Sequence, residues 1–275
     1  MVEVVANLRA VQYKIIAAST RRKQELQYCE PRLVAVSKLK PPLSIIAAYE
    51  GGQRHFGENY VNELFEKGTN PSILEKCKEI QWHFIGHLQR NKVNKVLRVP
   101  NIYAIQTVDS EKIASVLNTS WPKFRSTEDT KLKVMVQVNT SKEDEKSGCE
   151  LEEVPSLVNY VINNCKNLEF LGLMTIGKYG YDPANGPNPD FLSLIKCRED
   201  VAQELSIDSK QIELSMGMSN DYEQAIELGS TCVRVGSSIF GERPPKGQVL
   251  LHTDRASLHY TVSNMHSVYC KYSYT

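Results

Sequence analysis

Short runs of aliphatic and β-branched residues alternate with amphipathic stretches along most of the chain. The predicted strands cover residues 32–38, 55–59, 82–88, 102–109, 132–139, 169–176, 211–215 and 232–236. The predicted helices between them cover residues 43–49, 60–66, 91–99, 111–118, 151–163, 191–205 and 221–228. Near-continuous apolar strands indicate burial on both faces of a parallel sheet. Eight strand–helix units favour a closed (β/α)8 TIM barrel over the alternative, a doubly wound open sheet.

An extra helix is predicted before the barrel. In the first twenty residues, apolar side chains recur at spacings of three and four, which is typical of an amphipathic helix. The residues that share this face are Val4, Val5, Leu8, Val11, Ile15 and Ile16.

Composition and charge exclude several classes of partner. The 275 residues include 33 Lys and Arg against 32 Asp and Glu, so no excess positive charge is present to bind nucleic acid. No apolar run approaches the roughly 18 residues of a membrane span, and the first residues lack the pattern of a secretory signal. Seven scattered cysteines without a C-x-x-C pair indicate reduced thiols. We expect a cytoplasmic protein with no membrane partner, and association with mitochondria is left open.

The carboxyl ends of the strands are where a barrel binds its ligands. The polar residues predicted there are Lys38, Glu58, Asn59, His87, Gln89, Asp109, Asn139, Thr140, Thr175, Ser215 and residues 234–237. Lys38 is a candidate for imine formation, because burial and the nearby cation Lys40 both favour a neutral amine. The alternative is a solvated lysine at a strand end.

Small and hydroxyl-bearing residues follow the last two strands. The sequences SMGMS (215–219) and RVGSS (234–238) let backbone N–H groups approach a phosphate, although each alone is also consistent with an ordinary turn. The first and eighth strands are neighbours in a closed barrel, so a phosphorylated aldehyde can meet both Lys38 and these loops. Pyridoxal 5'-phosphate (PLP) is the obvious candidate. Arg234 would face its pyridine nitrogen and keep that atom unprotonated; the alternative is an interior arginine paired with a carboxylate.

Several motifs resemble those of the pyridoxal phosphate homeostasis protein family. They are AVSKLKP (35–41), FGENYVNEL (56–64), WHFIGHLQRNKVNKV (82–96), GLMTIG (172–177), LSMGMSNDYEQAIELGST (214–231) and VRVGSSIFGER (233–243). The resemblance implies a single barrel of the alanine racemase N-terminal-domain type, with PLP held as a Schiff base on Lys38. It also implies that Ser215, Gly236 and Ser237 hold the phosphate, Arg234 the pyridine nitrogen and Asn59 the ring substituents, with Thr175 nearby.

Two functions remain open once PLP is accepted. A PLP-dependent amino-acid racemase or decarboxylase needs a second acid or base on the face of the cofactor opposite Lys38. Enzymes related to alanine racemase take it from a further C-terminal domain and a partner subunit, and 32 residues after Arg243 are too few for such a domain. We therefore expect a monomeric protein of intracellular PLP homeostasis, a PLP carrier or regulator that is non-catalytic or very weakly catalytic. PLP-requiring apoenzymes are left open as its partners. A class I aldolase is a more distant alternative.

The remaining features receive structural interpretations. His83 and His87 are four residues apart, but they lie in a predicted strand without a third ligand, so no metal site is expected. Asn91, Lys92, Asn94, Lys95 and Arg98 form a basic helix that is a solvated face or a docking site. The charged segment 141–148 is predicted to be a mobile loop over the site, and the alternative is an ordinary loop.

The chain is expected to divide at Arg243. Residues 1–243 contain the helix and the eight repeats, and residues 244–275, which begin with Pro244 and Pro245, show no amphipathic period. We expect this tail to be irregular and to leave the outer face of the eighth strand less covered.

Overall fold

Parallel strands close on themselves to form the barrel. The computed structural model describes residues 2–141, 147–178 and 180–242, and within them eight strands follow one another around the barrel, the last pairing with the first. The strands are β1 Arg32–Val36, β2 His55–Glu58, β3 Gln81–Phe84, β4 Ile102–Val108, β5 Leu132–Gln137, β6 Leu168–Met174, β7 Glu213–Ser215 and β8 Cys232–Val235. The predicted (β/α)8 architecture is confirmed.

Helices follow the strands on the outside of the barrel. They are α1 Val2–Thr20, α2 Pro42–Glu50, α3 Val61–Gly68, α4 Pro71–Lys76, α5 Val93–Leu97, α6 Glu111–Ser120, α7 Val154–Asn164, α8 Pro189–Leu205, α9 Tyr222–Glu227 and α10 Ser237–Phe240. The sequence analysis missed α4, although its start has a recognisable signal. Asn70 caps it by accepting from the N–H groups of Ser72 and Ile73, and Pro71 occupies the first turn.

The predicted N-terminal helix is present, but its buried face differs in part from the prediction. Leu8, Val11 and Ile15 are buried as expected, whereas Ile16 is 65% exposed and Ala18 is buried in its place. The helix α1 packs against α2, α9 and α10. It therefore lies among the helices that follow β1, β7 and β8.

The expectation that the eighth strand is poorly covered is wrong. All four residues of β8 are buried in the structure. The helix α9 packs directly against β8, and α1 packs in turn against α9 and α10, the helices before and after this strand. The predicted tail, 244–275, lies outside the described residues, as do residues 142–146 of the predicted loop.

Seven of the eight predicted strands end one to four residues earlier than expected. The first ends at Val36 and the third at Phe84, so Lys38 lies in the turn after β1 and His87 in the loop after β3. Across the described ranges, no helix combines the length and the apolar character that a transmembrane segment requires.

A chain of hydrogen bonds joins inward-facing polar side chains across the barrel interior. Arg234 Nη1 donates to Ser215 Oγ (2.6 Å), and the Ser215 hydroxyl donates to Gln106 Oε1 (2.7 Å). Gln106 Nε2 lies 2.9 Å from His83 Nδ1, and His83 Nε2 lies 2.9 Å from His55 Nδ1. Arg234, Ser215, Gln106 and His83 are buried and His55 is half-buried, so the buried members depend on their neighbours for hydrogen bonds. We call this set the interior polar chain.

The two histidines of the interior polar chain favour the neutral form. Burial lowers the pKa of His55 to about 4, and the positive charges of Arg32 and Lys133 act in the same direction. Burial also lowers the pKa of His83 well below its usual value, with His55, Arg32 and Lys133 contributing. A neutral imidazole offers one donor and one acceptor, which suits a side chain with a partner on each ring nitrogen.

The free energy of unfolding should depend on pH through His55. An unfolded histidine takes up a proton near pH 6.5, whereas folded His55 resists protonation until about pH 4. The contribution of His55 to stability should therefore fall as the pH drops through this interval and stay constant above it. The variant His55→Asn keeps an acceptor beside His83 but does not titrate. As the pH drops, the free energy of unfolding of this variant should fall less steeply than that of the wild type. The expected difference in slope is about 1 kcal/mol per pH unit, after allowance for the partial exposure of His55.

Denaturant unfolding of the wild type and His55→Asn at matched pH values measures this difference. Equal pH slopes between pH 6.5 and 4 would show that His55 does not titrate as described.

Candidate functional site at the carboxyl ends of the strands

The turn that carries Lys38 is fixed on both sides of that residue. Ser37 is fully buried, Lys38 is half-buried and Leu39 has a φ of 61°, a left-handed conformation that a leucine seldom adopts. Lys67 Nζ donates to the carbonyl of Ser37 (2.7 Å), and the N–H of Leu39 donates to a carboxylate oxygen of Glu63. A strained backbone conformation of this kind persists only where the surrounding structure enforces it. The backbone around Lys38 is thus held in place.

A buried ion pair lies directly beneath this turn. Lys67 Nζ is 2.7 Å from Glu58 Oε1 and 2.7 Å from Glu63 Oε1, and Glu58 Oε1 also accepts from the Ser37 hydroxyl at 2.6 Å. Burial raises the pKa of Glu58 to about 7, and the positive charge of Lys67 opposes that rise. The other oxygen of Glu58 is buried without a hydrogen-bond partner among the described residues. We call Glu58, Glu63 and Lys67 the charged cluster.

Sequence reasoning did not identify the charged cluster as a unit. Glu58 appeared among the polar strand ends, but Glu63 and Lys67 did not. The spacing of these two residues, four positions apart on α3, was the available signal, because such a pair meets on one helical face.

Arg234 is a buried residue of β8, the strand that pairs with β1. Its Nη1 donates to Ser215 Oγ and its Nη2 donates to the carbonyl oxygen of Thr175 at 2.7 Å. Both partners are neutral, which differs from the carboxylate-paired arginine considered as an alternative. Burial lowers the pKa of Arg234 from its usual value, but a guanidinium remains protonated in proteins and can only donate.

Thr175 and Ser215 support Arg234. Thr175 contributes its carbonyl oxygen, and its hydroxyl is 2.9 Å from the hydroxyl of Thr140. The hydroxyl of Ser215, a fully buried residue, is engaged by Arg234 and Gln106. The structure therefore places Ser215 beside the guanidinium, and its hydroxyl already has a donor and an acceptor.

Asn59 follows β2 and has an unused acceptor. Its Oδ1 is buried and has no hydrogen-bond partner among the described residues. The backbone of Asn59 is pressed against Gly86, where a Cβ atom would overlap the Asn59 carbonyl group. Glycine at position 86 is therefore required for Asn59 to occupy this position.

The loops after β7 and β8 approach each other. The N–H of Gly236 donates to Ser219 Oγ at 3.2 Å, and Gly217 has a φ of 97°, which favours glycine. Ser237 is exposed and begins α10, where the first N–H groups have no partner within the helix. A Cβ on Gly236 would lie 3.2 Å from the carbonyl oxygen of Val36, so this loop abuts the end of β1.

Strand pairing brings these loops to the Lys38 turn. Val34 pairs with Arg234 and Ala35 with Val235, so the residues that follow β1 and β8 emerge side by side. This end of the barrel thus brings together the amine of Lys38, the Arg234 guanidinium and the hydroxyl and N–H donors around Ser237. It also holds the Asn59 oxygen, which has no hydrogen-bond partner among the described residues. These groups suit a ligand that has both an anionic group and an electrophilic carbonyl carbon.

The remaining predicted features lie apart from this arrangement. His83 belongs to the interior polar chain, whereas His87 is exposed and lies 3.6 Å from Asp109. No group of three potential metal ligands occurs in the ranges that the structure describes. In the basic segment, Asn91, Lys92, Asn94 and Arg98 are exposed, and Lys95 donates to Asn62 Oδ1 at 2.8 Å.

Removal of Lys67 should destabilise the protein strongly. The variant Lys67→Met leaves Glu58 in a buried site without its counter-charge and takes a donor from the Ser37 carbonyl, which should lower the free energy of unfolding by about 3–5 kcal/mol. The double variant Lys67→Met/Glu58→Gln removes the buried acid as well, so it should be more stable than the single variant.

The matched control is Lys196→Met, which breaks an exposed pair with Asp200 (2.9 Å). It should change stability by less than about 1 kcal/mol. Denaturant unfolding measures all three variants, and a Lys67→Met loss no larger than that of Lys196→Met would contradict a structural role for the charged cluster.

The chain matches a known domain family and named relatives over most of its length. The family described as alanine racemase, N-terminal domain, matches residues 12–244. The pyridoxal phosphate homeostasis protein of Homo sapiens is 54% identical over 236 residues, which are 86% of this chain and 85% of that protein. The protein of the same name from Vibrio cholerae is 38% identical over 86% of this chain and 98% of its own length.

A solved structure shares the fold. PipY of Synechococcus elongatus, in a structure with PLP bound, superimposes with a TM-score of 0.68 at 27% identity, covering 86% of this chain and all of PipY. The sequence identity to named relatives, the matched domain and the closed barrel agree with one another. The chain belongs to the pyridoxal phosphate homeostasis protein family, whose barrel is the alanine racemase N-terminal domain.

Proposed function

We propose that this protein binds PLP as a Schiff base on Lys38 and takes part in PLP homeostasis as a carrier. The observation that carries the proposal is the juxtaposition of the Lys38 turn, at the end of β1, with the segment 234–237, at the end of the paired strand β8. A lysine that reacts with an aldehyde and donors that bind a phosphate are the two requirements for holding PLP.

The residues present fit the cofactor. The buried Asn59 oxygen without a partner can accept from a hydroxyl or a protonated nitrogen of a ligand. Arg234 offers only donors, which suits an unprotonated pyridine nitrogen. The fixed Lys38 turn limits the positions that the amine can reach, so the lysine is oriented before a ligand arrives.

Each site residue then has a role. Lys38 forms the covalent link, Arg234 donates toward the pyridine nitrogen, and Asn59 binds the ring substituents. Gly236 and Ser237 hold the phosphate, and Thr175 anchors Arg234 through its carbonyl. We assign Ser215 to the support of Arg234, because its hydroxyl already bonds to Arg234 and Gln106.

The names of two relatives and the ligand of a related structure support this function. The human and Vibrio proteins are named for PLP homeostasis, and PipY has been solved with PLP bound. PLP supplies an electrophilic aldehyde and an electron sink when it is bound. We propose that this chain keeps the aldehyde in a reversible link, as a cytoplasmic monomer, and passes PLP to apoenzymes that require it.

Lys38 should be essential for covalent PLP binding. Protein mixed with PLP and freed of excess ligand should show the visible absorbance band of a protein-bound Schiff base. Lys38→Ala should lose the band, because the nearby amine of Lys67 is buried and ion-paired with Glu58 and Glu63. The control Lys40→Ala should retain the band. A band that survives Lys38→Ala, or no band in the wild type, would overturn the assignment.

Turnover of amino acids should be very slow. Arg234 keeps the pyridine nitrogen unprotonated, which weakens the electron sink that racemisation and decarboxylation require. The PLP-loaded protein should therefore convert amino acids at rates far below about 1 per second, the low end of ordinary enzymes. Chiral chromatography and carbon dioxide release measure the two reactions. Steady turnover near that rate would favour the racemase or decarboxylase alternative.

A further inference from the structure

We propose that Gln106 and His83 are positioning residues that orient the Arg234 guanidinium toward PLP, acting through Ser215. This inference rests on the proposed function. Neither side chain lies at the carboxyl-end edge of the barrel, and both are fully buried in its interior. Their role follows from the direction in which each hydrogen bond of the interior polar chain must run.

Arginine fixes the direction of the first links. A guanidinium has only donors, so Ser215 Oγ must accept from Arg234 Nη1. The single hydroxyl proton of Ser215 is then available to Gln106 Oε1, 2.7 Å away. The carbonyl oxygen of the Gln106 amide is thereby turned toward Ser215 and its NH2 group away from it.

The same direction continues through the histidines. The NH2 group of Gln106 faces His83 Nδ1, which must carry a lone pair to accept. The ring proton of His83 is consequently on Nε2 and is donated to His55 Nδ1. Every bond runs from Arg234 toward His55, and reversing one link would set two donors or two acceptors against each other. Bonds aligned in this way polarise one another.

The far end of the interior polar chain stabilises its direction. His55 accepts from His83 only while its Nδ1 is unprotonated. Arg32 and Lys133 lie over the ring of Tyr103, at 5.4 Å and 4.6 Å, and Tyr103 contacts the edge of His55. These cations disfavour a positive charge on His55, so the terminal acceptor is maintained.

The consequence for the site is a guanidinium held at two points. Thr175 O fixes Nη2 from one side, and Ser215 fixes Nη1 from the other. Without the Gln106 acceptor, the Ser215 hydroxyl can rotate and its lone pairs no longer have a defined direction. Arg234 should then lose one of its two anchors, and its alignment with a bound pyridine ring should weaken.

The first test uses the protein without PLP. Nitrogen-15 NMR of histidine-labelled protein should show the Nε2–H tautomer for both His83 and His55. The variant Gln106→Glu offers only acceptors, so His83 should then carry a proton on Nδ1. A wild-type His83 protonated on Nδ1 would overturn the proposed direction, whatever the result with PLP.

The second test measures PLP affinity in a double-mutant cycle. Gln106→Met and Ser215→Ala should each weaken PLP binding about tenfold, because each removes the support of a hydrogen bond to a charged group. The PLP affinity of the double variant should lie within about twofold of that of either single variant, because both substitutions act through the same anchor of Arg234. Ser215→Ala removes only one oxygen atom, so it provides a second measurement if Gln106→Met folds poorly.

The matched control is Gln53→Met. Gln53 is also a buried glutamine, and its side-chain amide bonds to the carbonyls of Leu33 and His55 at 2.7 Å and 2.6 Å. It should destabilise the fold without changing PLP affinity. Equal affinity of Gln106→Met and the wild type, or additive losses in the double variant, would overturn the positioning role. A wild type that does not bind PLP would instead overturn the proposed function.

Discussion

An arginine inside a barrel imposes requirements on everything around it, because its guanidinium stays protonated and only donates. Arg234 meets this requirement with two neutral acceptors, the Thr175 carbonyl and the Ser215 hydroxyl. The Ser215 hydroxyl, once it accepts, has one proton to place, and this demand passes to Gln106 and on to the two histidines. One obligatory donor thus determines the orientation of polar groups on strands β2, β3, β4 and β7.

The strand pattern made the barrel predictable, and the interior polar chain escaped prediction for a physical reason. Parallel strands buried on both faces have an apolar signature that single-sequence analysis detects. His83 also lies four residues from His87, but that spacing was considered only for a metal site, which the predicted strand and the lack of a third ligand argued against. Its real partners, Gln106 and His55, are 23 and 28 positions away. These partners lie on β4 and β2, the strands that pair with β3, so strand pairing brings them beside His83, and no periodicity in the sequence encodes that pairing.

The site itself was predictable where strand ends carry unusual residues. Lys38, Asn59 and Arg234 each stand at the end of an apolar run, and the topology brings β1 beside β8. The sequence predicted where these side chains lie better than it predicted what each of them contacts. Ser215 lies where small hydroxyl residues suggested a phosphate loop, yet its side chain points into the barrel and bonds to Gln106. The charged cluster was missed as a unit because Lys67 belongs to α3, outside the strand ends.

The charged cluster and the interior polar chain each hold one residue of the candidate site in place, and they do so by different interactions. The proposed reversible link of PLP to Lys38 would require that Lys38 and Arg234 keep fixed positions whether or not the ligand is present. The backbone on either side of Lys38 is held at the edge of the barrel by two ion-paired side chains, Lys67 and Glu63. Arg234 is held by neutral groups from within. A carboxylate beside Arg234 would neutralise the guanidinium, whereas neutral acceptors position it and leave its charge for a ligand.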